Sequence, residues 1–86
     1  PAGSYYGAEG GIFVEEIVMN GPAYNAGFKL GDKLISMDGV EIKDTGDIIK
    51  VRDSHKVGDT IEVVVERDGK EMTLSLTIAD SADFPV

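Results

Sequence analysis

Cysteine and tryptophan are both absent from this sequence of 86 residues. Without cysteine there can be no disulfide framework, no cysteine-ligated zinc, no iron–sulfur cluster and no thiol nucleophile. The absence is compatible with an oxidising compartment, although cytosolic domains can lack cysteine too. Hydrophobic residues make up 42% and charged residues 28% of the chain, close to globular averages. We therefore expect one small folded domain.

Basic residues are also scarce. The 8 Lys and Arg residues stand against 16 Asp and Glu residues, which gives a net charge of −8. This excess of negative charge, without any Lys/Arg-rich run, disfavours binding to nucleic acid or to anionic membranes. No apolar run approaches the roughly 20 residues of a membrane helix. The first residues, PAGSYYGAEGG, lack the basic start and apolar middle of a signal peptide. We expect no membrane insertion by this segment.

Catalytic signals are few. His55 is the only histidine, and no GxSxG elbow surrounds any serine. Glu15 and Glu16 are neighbours on a predicted strand, so we expect their side chains to point to opposite faces. There is no calcium loop and no phosphate-binding glycine loop that ends in GK[ST]. We predict that the chain is not an enzyme on its own and that it uses no metal or cofactor.

Most of the remaining sequence predicts β-strands. The β-branched and aromatic run GIFVEEIV covers residues 11–18, and a second apolar run covers residues 33–38 before an Asp-Gly turn into residues 40–42. The clearest pattern is the alternation of apolar and polar residues over 61–66 and 72–78, joined by Asp68-Gly69. Asp-Gly favours a tight primed turn. This pattern predicts an antiparallel hairpin with one buried face.

Two helical segments complete the predicted secondary structure. Pro22–Ala26 followed by Gly27 indicates one short helical turn, because Pro suits the first helical position and Gly suits the end. Residues 45–54 are predicted to form an amphipathic helix capped by Asp44. The expected fold class is mainly β with α. It is a small antiparallel sheet or partial barrel capped by one amphipathic helix and one short helical turn.

The two ends are expected to lie outside the folded body. Residues 1–10 are rich in Gly, Ala and Ser, and residues 80–86 read DSADFPV. Neither end has a sustained hydrophobic period. We interpret residues 1–10 as an N-terminal linker, residues 11–79 as the folded domain and residues 80–86 as a C-terminal tail.

A closely spaced series of turn residues carries a family resemblance. Residues 20–39, NGPAYNAGFKLGDKLISMDG, combine a breaker, a helical turn, a Gly cap, an apolar strand and an Asp-Gly turn. This run resembles the core signature of PDZ domains. The order of segments from Gly11 to Ile78 is similar to that in PDZ domains of bacterial HtrA/Deg-type trypsin-like serine proteases. Carboxyl-terminal processing proteases carry similar modules.

The resemblance implies peptide recognition. PDZ domains add a partner's C-terminal segment as a strand between an edge strand and a helix, and a loop holds its terminal carboxylate. By this resemblance, the helix residues expected to line the peptide groove are Ile48, Val51, Arg52 and His55. Arg52 stands where relatives often have Leu, and it could narrow the pocket or place a cation near the ligand. Ile48 and Val51 fit the groove and the core equally well.

The carboxylate loop departs from the family pattern. In HtrA-type domains this loop and its pairing strand come some twenty residues or more before the segment that matches GIFVEEI. Here only ten residues precede Gly11. The residues with the shape of the loop are Tyr6, Gly7 and Ala8, with Tyr5 before them, yet too few residues follow for a separate pairing strand. The expectation is therefore a PDZ domain over residues 11–79 that lacks its own first strand, with an open sheet edge.

The leading functional hypothesis is a peptide-binding module of an extracytoplasmic bacterial serine protease, in the periplasm or at the cell surface, with a membrane-anchored parent. Its partners would be C-terminal or extended peptide segments and the parent protease domain, with weak self-association through the tail that ends in Phe84-Pro85-Val86. One alternative is a structural or oligomerisation module that binds no free peptide. Another is a PDZ domain of a carboxyl-terminal processing protease.

Overall fold

The computed structural model describes residues 3–8 and 11–78. It contains six strands and two helices over these residues. The elements in chain order are β1 (Gly3–Ala8), β2 (Gly11–Ile17), α1 (Pro22–Ala26), β3 (Lys33–Met37), β4 (Val40–Glu41), α2 (Thr45–Asp53), β5 (Thr60–Arg67) and β6 (Lys70–Thr77). The predicted C-terminal tail, residues 80–86, lies outside the described residues, as do residues 1, 2, 9, 10 and 79.

All pairings in the described sheet are antiparallel, in the order β1-β2-β3-β5-β6, with β4 paired to β3. The sheet is open, since β1 and β6 lie at its two ends and do not pair with each other within the described ranges. The expected mainly antiparallel fold with two helices is confirmed, as an open sheet rather than a closed barrel.

The β5–β6 hairpin follows the sequence prediction closely. Its strands pair in continuous register from Thr60 with Thr77 to Arg67 with Lys70. Asp68 and Gly69 connect them with φ angles of 53° and 77°. Two consecutive positive φ angles define a type I′ turn, whose twist matches that of the paired strands. The Asp-Gly dipeptide therefore fixes both the position and the register of the hairpin.

The core consists of one cluster of buried apolar side chains from the strands, the two helices and the connecting segments. Ile61, Val63 and Val65 on β5 are all at most 2% exposed, as their alternation predicts. On β6 burial increases toward the C-terminal end, where Leu76 is 1% exposed. The remaining buried members are Ile12, Val14, Ala23, Phe28, Leu34, Met37, Ile42, Ile48, Val51 and Ile78.

The N-terminal segment differs from its predicted structure. Composition predicts a linker over residues 1–10, whereas Gly3–Ala8 form β1 and pair with β2. Ala8 pairs with Gly11, so only two residues separate the strands, which is the spacing of a short hairpin. Aromatic residues such as the two adjacent tyrosines favour extended structure. The domain therefore has a first strand of its own, contrary to the expectation that it lacks one.

Strand β2 contains a β-bulge. Ser4 pairs with Glu16 and Tyr5 pairs with Val14, so Glu15 is an extra residue on β2. A bulge breaks strict alternation and redirects the side chains that follow it. Ile17 consequently packs against the core, while Glu15 and Glu16 both stay exposed and line one groove. The prediction that these two carboxylates point to opposite faces is wrong, because it assumed a regular strand.

A buried ion pair links the turn before β3 to the end of β5. The Asp32 carboxylate is 1% exposed. Arg67 donates to it twice, from Nε to Oδ1 at 2.7 Å and from Nη2 to Oδ2 at 2.6 Å. Asp32 Oδ2 also accepts from the backbone N–H of Lys29 at 2.9 Å, and Arg67 Nη2 donates to the carbonyl of Gly27 at 3.0 Å. Both oxygens of this buried carboxylate are therefore satisfied, as burial of a charge requires.

Candidate functional site

Strand β1 forms one edge of the described sheet. One side of β1 pairs with β2, in the register Tyr6 with Phe13, Gly7 with Ile12 and Ala8 with Gly11. Its other side pairs with no strand in residues 3–8 and 11–78. An edge strand presents a row of backbone N–H and C=O groups to which an extended chain can hydrogen-bond. Tyr6, Gly7 and Ala8, the three predicted peptide-binding residues outside α2, lie on this edge strand.

Helix α2 begins at a complete capping box. Asp44 Oδ1 accepts from the backbone N–H of Asp47 at 3.2 Å, and Asp47 Oδ2 accepts from the N–H groups of Lys43 at 2.8 Å and Asp44 at 3.3 Å. The backbone hydrogen bonds from Lys43 and Asp44 lower the pKa of Asp47. These bonds satisfy free amides of the first turn. The predicted cap at Asp44 is confirmed, and it fixes where α2 starts.

The buried face of α2 carries two of the predicted site residues. Ile48 is 0% and Val51 is 2% exposed, and both belong to the core cluster. In the described structure both side chains therefore serve as packing residues. The adjacent face is partly open: Ile49 and Arg52, three residues apart, are both partly buried. Ile49 is the residue that the sequence analysis did not assign to the site, although it borders the predicted face.

Arg52 lies at the partly open face of α2 with its guanidinium available at the surface. Its side chain is 28% exposed, and Nε donates to Asp53 Oδ1 at 3.2 Å. An ion pair between neighbouring exposed side chains contributes little to stability. The ion pair of Arg52 with Asp53 is therefore expected to add little to the stability of the fold.

His55 bridges two carboxylates from different loops. Its Nε2 lies 2.8 Å from Asp38 Oδ2 in the β3–β4 turn, and its Nδ1 lies 3.2 Å from Asp59 Oδ2 before β5. The hydrogen bond to Asp38 is the main cause that raises the pKa of His55, and the hydrogen bond to Asp59 adds to it. The hydrogen bond from the Lys56 backbone, followed by the hydrogen bond from His55, lowers the pKa of Asp59. The predicted site residue His55 therefore tethers the C-terminal end of α2 to the β3–β4 turn.

This tether predicts a pH dependence of stability. Because folding raises the pKa of His55, its contribution is fully present below the unfolded pKa of about 6.5 and is lost as pH rises through the folded pKa. We expect the unfolding free energy of the wild type to exceed that of His55→Asn more at about pH 5.5 than at about pH 9. Urea titrations at both pH values measure this difference.

A matched control for the histidine test is Lys56→Gln, which changes an exposed neighbour with no side-chain ion pair to either carboxylate. Asp38→Asn should remove most of the pH-dependent difference, since it removes the shorter of the two His55 contacts. A difference between wild type and His55→Asn that does not change with pH would contradict the tether.

The described residues contain no group of three or more His, Cys, Asp or Glu side chains placed to hold a metal ion. None of the helices in these residues is long and apolar enough to cross a membrane.

Comparison with known proteins defines the class of this domain. The PDZ domain family matches residues 4–78. The serine protease Do-like HtrA of Lactobacillus helveticus is 38% identical over 68 residues, which is 79% of this chain and 16% of that protein. A protein of Mesorhizobium japonicum named as a candidate zinc metalloprotease is 41% identical over 64 residues, 74% of this chain and 17% of that protein.

A solved structure agrees with these sequence matches. The HtrA-type protease AlgW with a decapeptide aligns to 80% of this chain and 21% of that chain, with a TM-score of 0.69 and 28% identity. The chain therefore belongs to the PDZ domain family, and it resembles the PDZ domains of HtrA-type serine proteases. It spans less than a quarter of the length of each of these three proteins.

Proposed function

We propose that this PDZ domain binds C-terminal or extended peptide segments by strand addition to the free edge of β1. The observation that carries the proposal is the position of β1 at the end of the described sheet, with one side unpaired by any described strand. A peptide added there satisfies the backbone groups of the edge. The structure of the HtrA-type protease AlgW with a decapeptide supports peptide binding by this domain.

The second wall of the proposed groove is the partly open face of α2, made by Ile49 and Arg52. Ile49 supplies apolar surface for the last side chain of the peptide. The guanidinium of Arg52 attracts the terminal carboxylate or an acidic side chain nearby. Tyr6, Gly7 and Ala8 supply backbone groups on β1, and in this proposal they replace a separate carboxylate loop.

The charge of the chain sets a preference among peptides. The net charge of −8 repels acidic ligands over a distance of roughly 10 Å at ordinary salt concentrations. We therefore expect peptides with an apolar last residue and no acidic side chains to bind more tightly than acidic peptides of the same length, with a difference that shrinks as salt is added.

The parent protein in this proposal is an extracytoplasmic bacterial HtrA-type serine protease, which the domain positions or regulates by capturing exposed C-termini. The identity to the Lactobacillus helveticus protease supports this parent. The match to a candidate zinc metalloprotease supports a second possible parent, a protease of another catalytic class such as a carboxyl-terminal processing protease. A purely structural module that packs on its protease and binds no free peptide is the alternative function.

The test is a titration of the chain with a library of peptides that have free C-termini and with the same peptides carrying C-terminal amides. We expect saturable binding of the free peptides and a loss of roughly tenfold in affinity on amidation, the effect of about 1.4 kcal/mol. Arg52→Gln should lower the affinity for the peptides with free C-termini by a similar factor, since hydrogen bonds to a charged group contribute about 1.5–3 kcal/mol.

Lys56→Gln is the matched control for Arg52→Gln, because Lys56 is exposed beyond the end of α2. Equal affinity for free and amidated peptides would contradict recognition of the carboxylate and leave only strand addition. Absence of binding by every peptide, in a folded chain, would favour the structural role.

A further inference from the structure

A second surface lies beside α1, apart from the β1 edge and the open face of α2. It is a groove of about 430 Å³ between the end of β2, α1 and the segment that leads to β3. Its apolar lining residues are Ile17, Met19, Tyr24, Phe28 and Leu30. Phe28 is 6% exposed and Ile17 packs against the core, so this lining is continuous with the core of the domain.

The rim of this groove is unusually apolar for a surface. Met19 is 74%, Leu30 is 66% and Tyr24 is 50% exposed. Seven large hydrophobic side chains are exposed within residues 11–78; four of them lie between positions 18 and 30, and three of those line the groove. Clustered exposed apolar side chains, unlike scattered ones, mark interaction sites. The clustering points to a partner rather than to ordinary surface composition.

The charged residues at the groove determine the chemistry of that partner. The bulge in β2 places Glu15 and Glu16 together at the groove, and among the described residues Lys29 is the one basic residue that lines it. Neither glutamate forms an ion pair within the described residues. Two carboxylates beside an apolar surface complement a segment in which apolar side chains stand next to Lys or Arg.

We propose that this groove docks an internal segment of a partner protein in which one or two large apolar side chains are flanked by Lys or Arg. The apolar side chains would contact Met19, Tyr24 and Leu30, and the basic side chains would pair with Glu15 and Glu16. A second copy of this chain is a poorer occupant, since two domains of net charge −8 repel each other. The segment lies against α1 and the end of β2 and does not pair with β1, and this location separates the site from the proposed peptide groove.

The probe is the blocked peptide acetyl-Lys-Lys-Leu-Phe-Lys-amide, added to isotope-labelled protein while backbone amide shifts are followed by NMR. Because both ends are blocked, the probe presents no terminal carboxylate to the β1 edge or to Arg52. We expect saturable shift changes confined to residues 15–19 and 22–31. The charge-inverted peptide acetyl-Glu-Glu-Leu-Phe-Glu-amide should bind at least about tenfold more weakly, a difference of about 1.4 kcal/mol.

Two variants and a control locate the site. Leu30→Ser should lower the affinity for the probe by roughly tenfold, because apolar contact is lost. The double variant Glu15→Gln, Glu16→Gln should lower it by a similar factor, because the two negative charges are lost. Val57→Ser is the matched control for Leu30→Ser, because Val57 is 63% exposed in the loop between α2 and β5. It should leave the affinity unchanged.

Three outcomes would overturn the proposal. One is equal binding of the two peptides, and another is shift changes centred on β1 or α2. The third is a change of the groove amides with protein concentration alone, which would assign the groove to self-association. Since the blocked probe does not test recognition of a C-terminus, any of these results would leave the proposed peptide-binding function standing.

Discussion

Replacing Arg67 with Met is expected to lower the free energy of unfolding by about 3–5 kcal/mol, because it leaves a buried carboxylate without its counter-ion. Asp32 is 1% exposed, and Arg67 supplies two of its three hydrogen bonds. Met keeps much of the length and apolar surface of the arginine stem, so the loss reports mainly on the charge. Urea unfolding of the variant and the wild type measures the difference.

Arg52→Met is the control for this substitution, because the guanidinium of Arg52 pairs only with a neighbouring exposed carboxylate. Its expected cost is at most about 1 kcal/mol. The double variant Asp32→Asn, Arg67→Met should recover part of the loss, since a neutral side chain no longer carries an unpaired buried charge. An Arg67→Met protein as stable as Arg52→Met would contradict the structural role of this ion pair.

Val51→Glu is expected to abolish the folded state. Val51 is 2% exposed within the core cluster, and an ionised carboxylate cannot be placed there without a partner. The cost should exceed about 4 kcal/mol, most of the stability of a domain of this size. Far-UV circular dichroism and the dispersion of the NMR spectrum detect the loss of structure.

Ile49→Glu is the matched control, two positions earlier in the same helix and only partly buried. It should leave the chain folded and should weaken peptide binding through the change at the proposed groove. A folded Val51→Glu protein with a melting temperature near that of the wild type would show that Val51 does not belong to the core.

The parts of the fold that the sequence predicts are those controlled by neighbouring residues. The I′ turn at Asp68-Gly69 needs two residues with positive φ, and the cap at Asp44 needs an acceptor three residues before a free amide. Both requirements can be recognised from a few consecutive residues of the sequence. The hairpin register and the start of α2 follow from them directly.

The parts that the sequence does not predict depend on distant residues. Arg67 lies 35 positions from Asp32, and His55 lies 17 positions from Asp38. No local pattern distinguishes either residue from an ordinary surface cation or histidine. Strand β1 was missed because its structure depends on pairing with β2, while its composition resembles a linker.

The role of the α2 residues in peptide binding stays a prediction. Helical spacing groups Ile48, Val51 and His55 on one face, and the structure shows that this face packs on the core and tethers a turn. Spacing alone cannot decide whether an apolar helix face contacts a sheet or a ligand, because both require the same residues. The partly open Ile49–Arg52 face becomes visible only when the helix is placed on the sheet.

Strand addition to β1 is tested most directly by nuclear Overhauser effects between the isotope-labelled protein and an unlabelled bound peptide with a free C-terminus. Strand addition predicts backbone contacts between the peptide and successive residues of β1, with the last peptide side chain close to Ile49. Contacts that avoid β1, or that fall at the groove of Met19, Tyr24 and Leu30 instead, would contradict peptide binding at the sheet edge.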